Sequence, residues 1–270
     1  MILLSISIAV TLIIVIGLPI AASVWVNKKF AVSWRTITYG ILGYFIVQIL
    51  VSLLYSGLLS LIPEWNTAGV DQNYLLSQIL VNIFLGALLG VVARWLGMKY
   101  FKLDSLESAY ALGVGYGGAE SIMLVGLPLL TTFATMLGNI NIDPQTTSLD
   151  PAAVEQLQEL WALEFYVPLA TMVERITAFV MHITVTVIVL QVFKRKNLVW
   201  LGAAFLLEFL INGLIVGLAE AGVHYGWVVL LGVVFMAGNI YLLYRLNALN
   251  PVISRFNKQT KGRMDLSEND

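Results

Sequence analysis

Long apolar runs separated by short polar breaks dominate this chain. Seven windows, roughly 2–26, 37–62, 75–97, 107–137, 161–193, 198–219 and 226–246, are apolar over the ~20 residues a bilayer-crossing helix needs. The breaks carry Pro63-Glu64, Asp143-Pro144, Asp150-Pro151 and Lys194-Arg195-Lys196-Asn197. The pattern predicts an all-α fold, a polytopic transmembrane helix bundle of about seven spans over residues 1–250. Residues 251–270 form a polar tail of mixed charge, expected to be cytoplasmic and disordered. The fourth and fifth windows are longer than a straight span requires and are expected to tilt, break or run into the outer loop. The first run has no basic residue ahead of it, and Lys28 and Lys29 follow it, so it reads as a retained span and not a signal peptide. No repeat is visible along the chain, inverted or otherwise.

Composition agrees with the pattern. Apolar residues make up 59% of the chain and charged residues 11%, against about 25% charged in a soluble domain. Too few polar side chains are present to face water, so lipid must cover most of the surface, as in a multi-pass protein of the cell membrane. A net charge of -1 gives no basic stripe for nucleic acid. The absence of cysteine excludes disulfides and thiolate chemistry.

Where the charges fall sets an orientation. Lys28, Lys29 and Arg35 follow the first span, Arg94, Lys99 and Lys102 the third, Lys194 to Lys196 the fifth, and Arg245 and the later basic residues the seventh. Every lysine and arginine except Arg175 is thereby assigned to one side, while Glu64, Asp71, Asp143, Asp150, Glu155 and Glu159 occupy the other. The positive-inside rule then places the N-terminus outside and the C-terminus inside. The acidic loop 138–160 is read either as a solvated cap or as a short amphipathic helix from Pro151, a residue suited to a first helical position.

Five ionisable residues fall within spans: Glu120, Glu174, Arg175, His182 and Glu208. Each costs about 2.5–3.5 kcal/mol at a bilayer centre on insertion scales, so they must find partners. At a rise of about 1.5 Å per residue their depths overlap across the fourth to sixth spans. Arg175 and His182 share a helix face, as do Glu208 and Asn212, and Tyr116 lies one turn before Glu120. Arg175 is expected to neutralise Glu120, Glu174 or Glu208, with protonated His182 taking a second acid. The Glu174–Arg175 contact is the least favoured, because adjacent side chains diverge by about 100°. Gly113 and Gly117 form a small-xxx-small pair for close helix approach. The polar group is either packing glue or a catalytic or ligand site. No cofactor is expected: with only His182 and His224 a histidine-rich metal site is excluded, leaving a carboxylate site without a spacing signature.

Four segments in order, AVSWRTITYGILGYF (31–45), ARWLGMKYF (93–101), GYGGAESIMLVG (115–126) and ERITAFVMHITVTVIVL (174–190), resemble the bacterial YhfC family. That family is grouped with the CAAX-processing and bacteriocin-self-immunity type of intramembrane proteases. The resemblance implies a glutamate pair ahead of an arginine, a first histidine in the glycine-rich motif, and a later histidine with Asp or Asn. A glutamate would activate water, a histidine would support it, and the last pair would hold an oxyanion. Here Arg94, Glu120, Glu174, Arg175, His182 and Asn212 match, whereas Gly90 and Val91, Tyr116 and Glu208 stand in place of the glutamate pair and the two histidines. The expectation is therefore a divergent member lacking the usual chemistry that binds a lipid, peptide or protein partner. The alternatives are an active protease with a shifted site drawn from Glu120, His182, Glu208 and Asn212, and a small-molecule or ion transporter.

Overall fold

A computed structural model describes residues 2–62, 72–139 and 150–249. Pro63-Glu64, Asp71, Asp143-Pro144 and the tail 251–270 lie outside the described residues. The described chain forms α1 (Ile2–Phe30), α2 (Trp34–Leu61), α3 (Gln72–Phe101), α4 (Leu106–Ser121), a π turn (Ile122–Gly126), α5 (Leu127–Gly138), α6 (Pro151–Ala162), α7 (Tyr166–Arg195), α8 (Val199–Glu220) and α9 (Tyr225–Arg245). Seven segments are long and apolar enough to span a membrane, with α4, the π turn and α5 together making the fourth. The multi-pass bundle is thus all-α, as the length of its apolar runs predicts.

The centre is built from α4 and α7. Every residue of α4 from Ala109 to Ala119 is buried, and so is α7 from Thr184 to Val192. Around them pack α1, α2, α3, α8 and α9, which turn Ile13, Leu42, Leu53, Leu210 and Tyr241 outward into the position of lipid. Glycines allow the tightest contact: a Cβ on Gly40 would collide with the Leu112 carbonyl, and one on Gly115 with the Ile37 carbonyl. The Gly113 and Gly117 pair faces α7, where added Cβ atoms would come within 2.9 Å of Ile183 Cα and 3.0 Å of His182 Cβ.

Breaks in the helical pattern are each satisfied locally. Pro19 within α1 has no N–H for the Val15 carbonyl, and Ser121 Oγ donates to that oxygen at 3.1 Å. In hydrocarbon an unpaired carbonyl would cost several kcal/mol, so this cross-helix bond lets a proline stand inside a span. The two long windows resolve differently. The fourth does not break but takes one π turn ahead of Pro128, whose ring cannot sit against the preceding turn of a regular helix. The fifth is two helices: residues 161–162 end α6, and the span begins at Tyr166 after a turn closed by Val167 N–H to the Glu164 carbonyl at 3.0 Å. The helix read from Pro151 is present as α6; Leu160 and Trp161 pack on a patch of Leu4, Ile8, Leu12 and Met136. It is therefore anchored, not merely a solvated cap.

Candidate functional site

α3, α4, α7 and α8 bring six ionisable side chains into one chain of contacts. Arg175 Nη2 lies 2.5 Å from Glu174 Oε1, and its Nη1 lies 3.6 Å from Glu120 Oε1. Glu120 Oε2 stands 2.8 Å from His182 Nε2, although the oxygen lies too far off the N–H direction for a well-formed hydrogen bond. On the other side of the ring, Arg94 Nη2 donates to His182 Nδ1 at 2.7 Å. Arg94 Nη1 donates to Glu208 Oε2 at 2.9 Å, and Glu208 Oε1 sits 3.5 Å from His182 Nδ1. The Arg94 guanidinium also lies 3.8 Å over the Tyr116 ring, a cation–π contact.

Exposure falls along this chain. The Glu174 side chain is 33% exposed and that of Glu120 17%, whereas His182, Glu208 and Arg94 are at 2%, 4% and 1%. The inner end is a buried ion-pair network, where one missing partner leaves an uncompensated charge.

Several sequence expectations need correction. Arg94 is not a loop charge flanking a span. It lies within α3, seven residues before Phe101, and is the most completely buried large side chain of the site. It takes the place expected of Arg175 beside Glu208. It also takes the place expected of protonated His182 beside Glu208: arginine nitrogens only donate, so Nδ1 is the acceptor of that contact. Arg175 does pair with Glu120, but it contacts Glu174 more closely, since a long guanidinium arm spans the divergence between neighbours on a helix. Asn212 shares the Glu208 face but is only half-buried and forms no hydrogen bond to the cluster.

Gly90 is the member that residue chemistry alone misses. A Cβ there would lie 3.0 Å from Arg94 Nη1, 3.1 Å from the Tyr116 hydroxyl and 3.5 Å from Glu208 Oε1. The position faces the cluster directly and contributes no functional group. Val91 is buried in the main apolar core.

Residues 14–246 match the family described as YhfC intramembrane metalloprotease. The chain belongs to the YhfC family. No curated protein and no solved structure matches it.

The family description implies a metal, and the donor set of this YhfC chain does not fit one. Among the described residues, no three His, Asp or Glu side chains are grouped to hold an ion. His182 Nδ1 and Glu208 approach each other as two ligands would, but the Arg94 guanidinium is bonded to both. A fixed cation there repels a metal and occupies the lone pairs that would bind it.

Proposed function

We propose that this YhfC-family protein is non-hydrolytic and acts by holding a ligand or partner within the bilayer. The observation that carries this reading is the position of Arg94. Its guanidinium occupies the point between His182 and Glu208 where a water or an ion would need to be activated. Hydrolysis requires a base within about 2.6–3.2 Å of its water. Here the inner carboxylate, Glu208, is turned onto Arg94, and Gly90, where the resemblance implies a glutamate, supplies none. The same closure argues against a transport path, which would have to run through the paired inner charges.

In this reading the N-terminus is outside and the C-terminus inside. Support comes from Lys28 and Lys29, Lys99, Lys194 and Arg195, and Arg245, which sit in the last turns of the first, third, fifth and seventh spans.

The test is turnover of fluorogenic transmembrane peptides by purified protein in liposomes, with and without added Zn(II), beside elemental analysis of the protein. Wild type, Glu120→Gln and Glu208→Gln are expected to give one common background rate, with metal far below one ion per chain. Cleavage by wild type that disappears in either variant would overturn the proposal, and so would one bound metal lost on changing His182.

A further inference from the structure

α3 carries two seams. Ala87, Val91, Arg94 and Met98, at steps of four and three residues, are buried in the bundle. Ile79, Asn82, Gly86, Leu89, Ala93 and Leu96 follow the same alternation on another face, and none of them is buried. A stripe repeating at an average of about 3.5 residues is the seam of a left-handed helix pair, because slight under-winding keeps it turned to one partner along its length. On this second face Asn82 and Leu96 are exposed, and Leu89, Ala93 and Leu96 border an open groove between α2 and α3.

Asn82 decides what the second seam meets. Counted over 17 residues from Lys99, in the last turn of α3, it lies about 26 Å deep at a helical rise of 1.5 Å per residue. That is inside a hydrocarbon core about 30 Å thick. Its side chain is exposed and no described residue bonds to it. The outward Thr131 and Thr135, by contrast, donate to carbonyls of their own helix. A lipid tail offers a primary amide nothing, whereas a second amide offers it both a donor and an acceptor. Two copies in one membrane share their orientation, so a two-fold axis along the membrane normal runs α3 parallel to α3 and sets each seam residue against itself. Asn82 then meets its own equivalent. One turn on, Gly86 has nothing within 4 Å of a Cβ placed there, so the two backbones can approach closely.

We infer that the protein pairs with a second copy of itself through this face of α3, with the two Asn82 amides bonded to each other at the axis and Gly86 and Ala93 at the closest approach. The single amide fixes the register, since any shift along the seam leaves both amides in hydrocarbon. Arg94 belongs to the other seam and stays where it is, so pairing is independent of the non-hydrolytic reading.

The experiment uses the full-length chain in liposomes at low protein density, where the absence of cysteine lets single cysteines report one face at a time. Ile79→Cys, Leu89→Cys and Leu96→Cys should each give a disulfide-linked dimer on oxidation by copper phenanthroline. Leu88→Cys and Leu210→Cys, outward but off the seam, should give at least tenfold less. Single-molecule photobleaching of labelled protein over a lipid dilution series then gives the dimer fraction. Asn82→Leu should raise the dissociation constant several-fold, and Asn82→Gln, which keeps the amide, should stay within threefold of wild type. Gly86→Leu should give monomers, and it can fold because the space around that position is open. Equal crosslinking at all five positions would overturn the inference, as would a dimer fraction unchanged in both Asn82→Leu and Gly86→Leu. Monomers at every dilution would also overturn it and leave lipid or another protein as the cover of this face. Peptide cleavage by the dimer would remove the non-hydrolytic reading alone.

Discussion

Arg94→Met tests the central claim, that this arginine is a buried structural charge. Arg94 and Glu208 pair at 2.9 Å with side chains 1% and 4% exposed, so removing one partner strands the other in a medium that cannot solvate it. Breaking such a pair costs about 3–5 kcal/mol. Glu208→Leu should cost a similar amount, and the two losses should not add. In the double variant no charge is stranded, and the main residual loss is the donor to His182 Nδ1, about 1–3 kcal/mol for an unsatisfied buried acceptor. The coupling energy is then at least about 3 kcal/mol, beyond the roughly 0.5 kcal/mol scatter of independent sites. Equilibrium unfolding in mixed micelles, or steric trapping in bicelles, measures all four proteins on one scale. A loss below about 1 kcal/mol for Arg94→Met, the range of an exposed pair, would refute the reasoning. It would mean that Arg94 reaches past its helix end to the basic face, as a long cationic side chain near a membrane boundary can.

The helix contacts make a second forecast. Gly40→Ala and Gly115→Ala should each prevent stable folding, because the added methyl meets backbone and not a movable side chain, while Gly202→Ala, with open space around it, should change stability by less than about 0.5 kcal/mol; thermal unfolding in detergent separates them. Orientation can be read from single cysteines placed in this naturally cysteine-free chain: Lys28→Cys and Lys196→Cys should react with an impermeant maleimide only after the membrane is opened, and Val223→Cys before. The reverse order would invert the assigned topology.

The spans were legible because bilayer thickness imposes a length and a composition that no soluble segment shares. The meeting of Glu120, Arg175, His182 and Glu208 was legible for a related reason: hydrocarbon leaves buried charges no option except each other. Arg94 was misassigned because a basic residue near the end of an apolar run looks the same in sequence whether it points out to the interface or inward to a partner. Helix direction decides between them, and only the packing of α3 against α7 and α8 shows it. Asn212 failed for the opposite reason. Sharing a face with Glu208 set its phase only roughly: the buried stripe of α8 runs through Ala204, Glu208 and Ile211, and Asn212 sits one position to its side. The break in the fifth window was legible from its excess length, but its place at 163–165 was not, because Leu163 and Phe165 flank the single charge of Glu164 and keep the run apolar.

The π turn at Ile122–Gly126 has a further effect. A π turn acts as one extra residue inserted into a helix, so it offsets the two halves of a span by about 100° about their common axis. The half carrying Tyr116 and Glu120 is thereby fixed by α2 and α7, while the half carrying Phe133 and Met136 is set separately against α1. Removing one residue from this segment would restore regular winding and force the halves back into a single phase. Either the outer patch or the charge network would then lose its alignment.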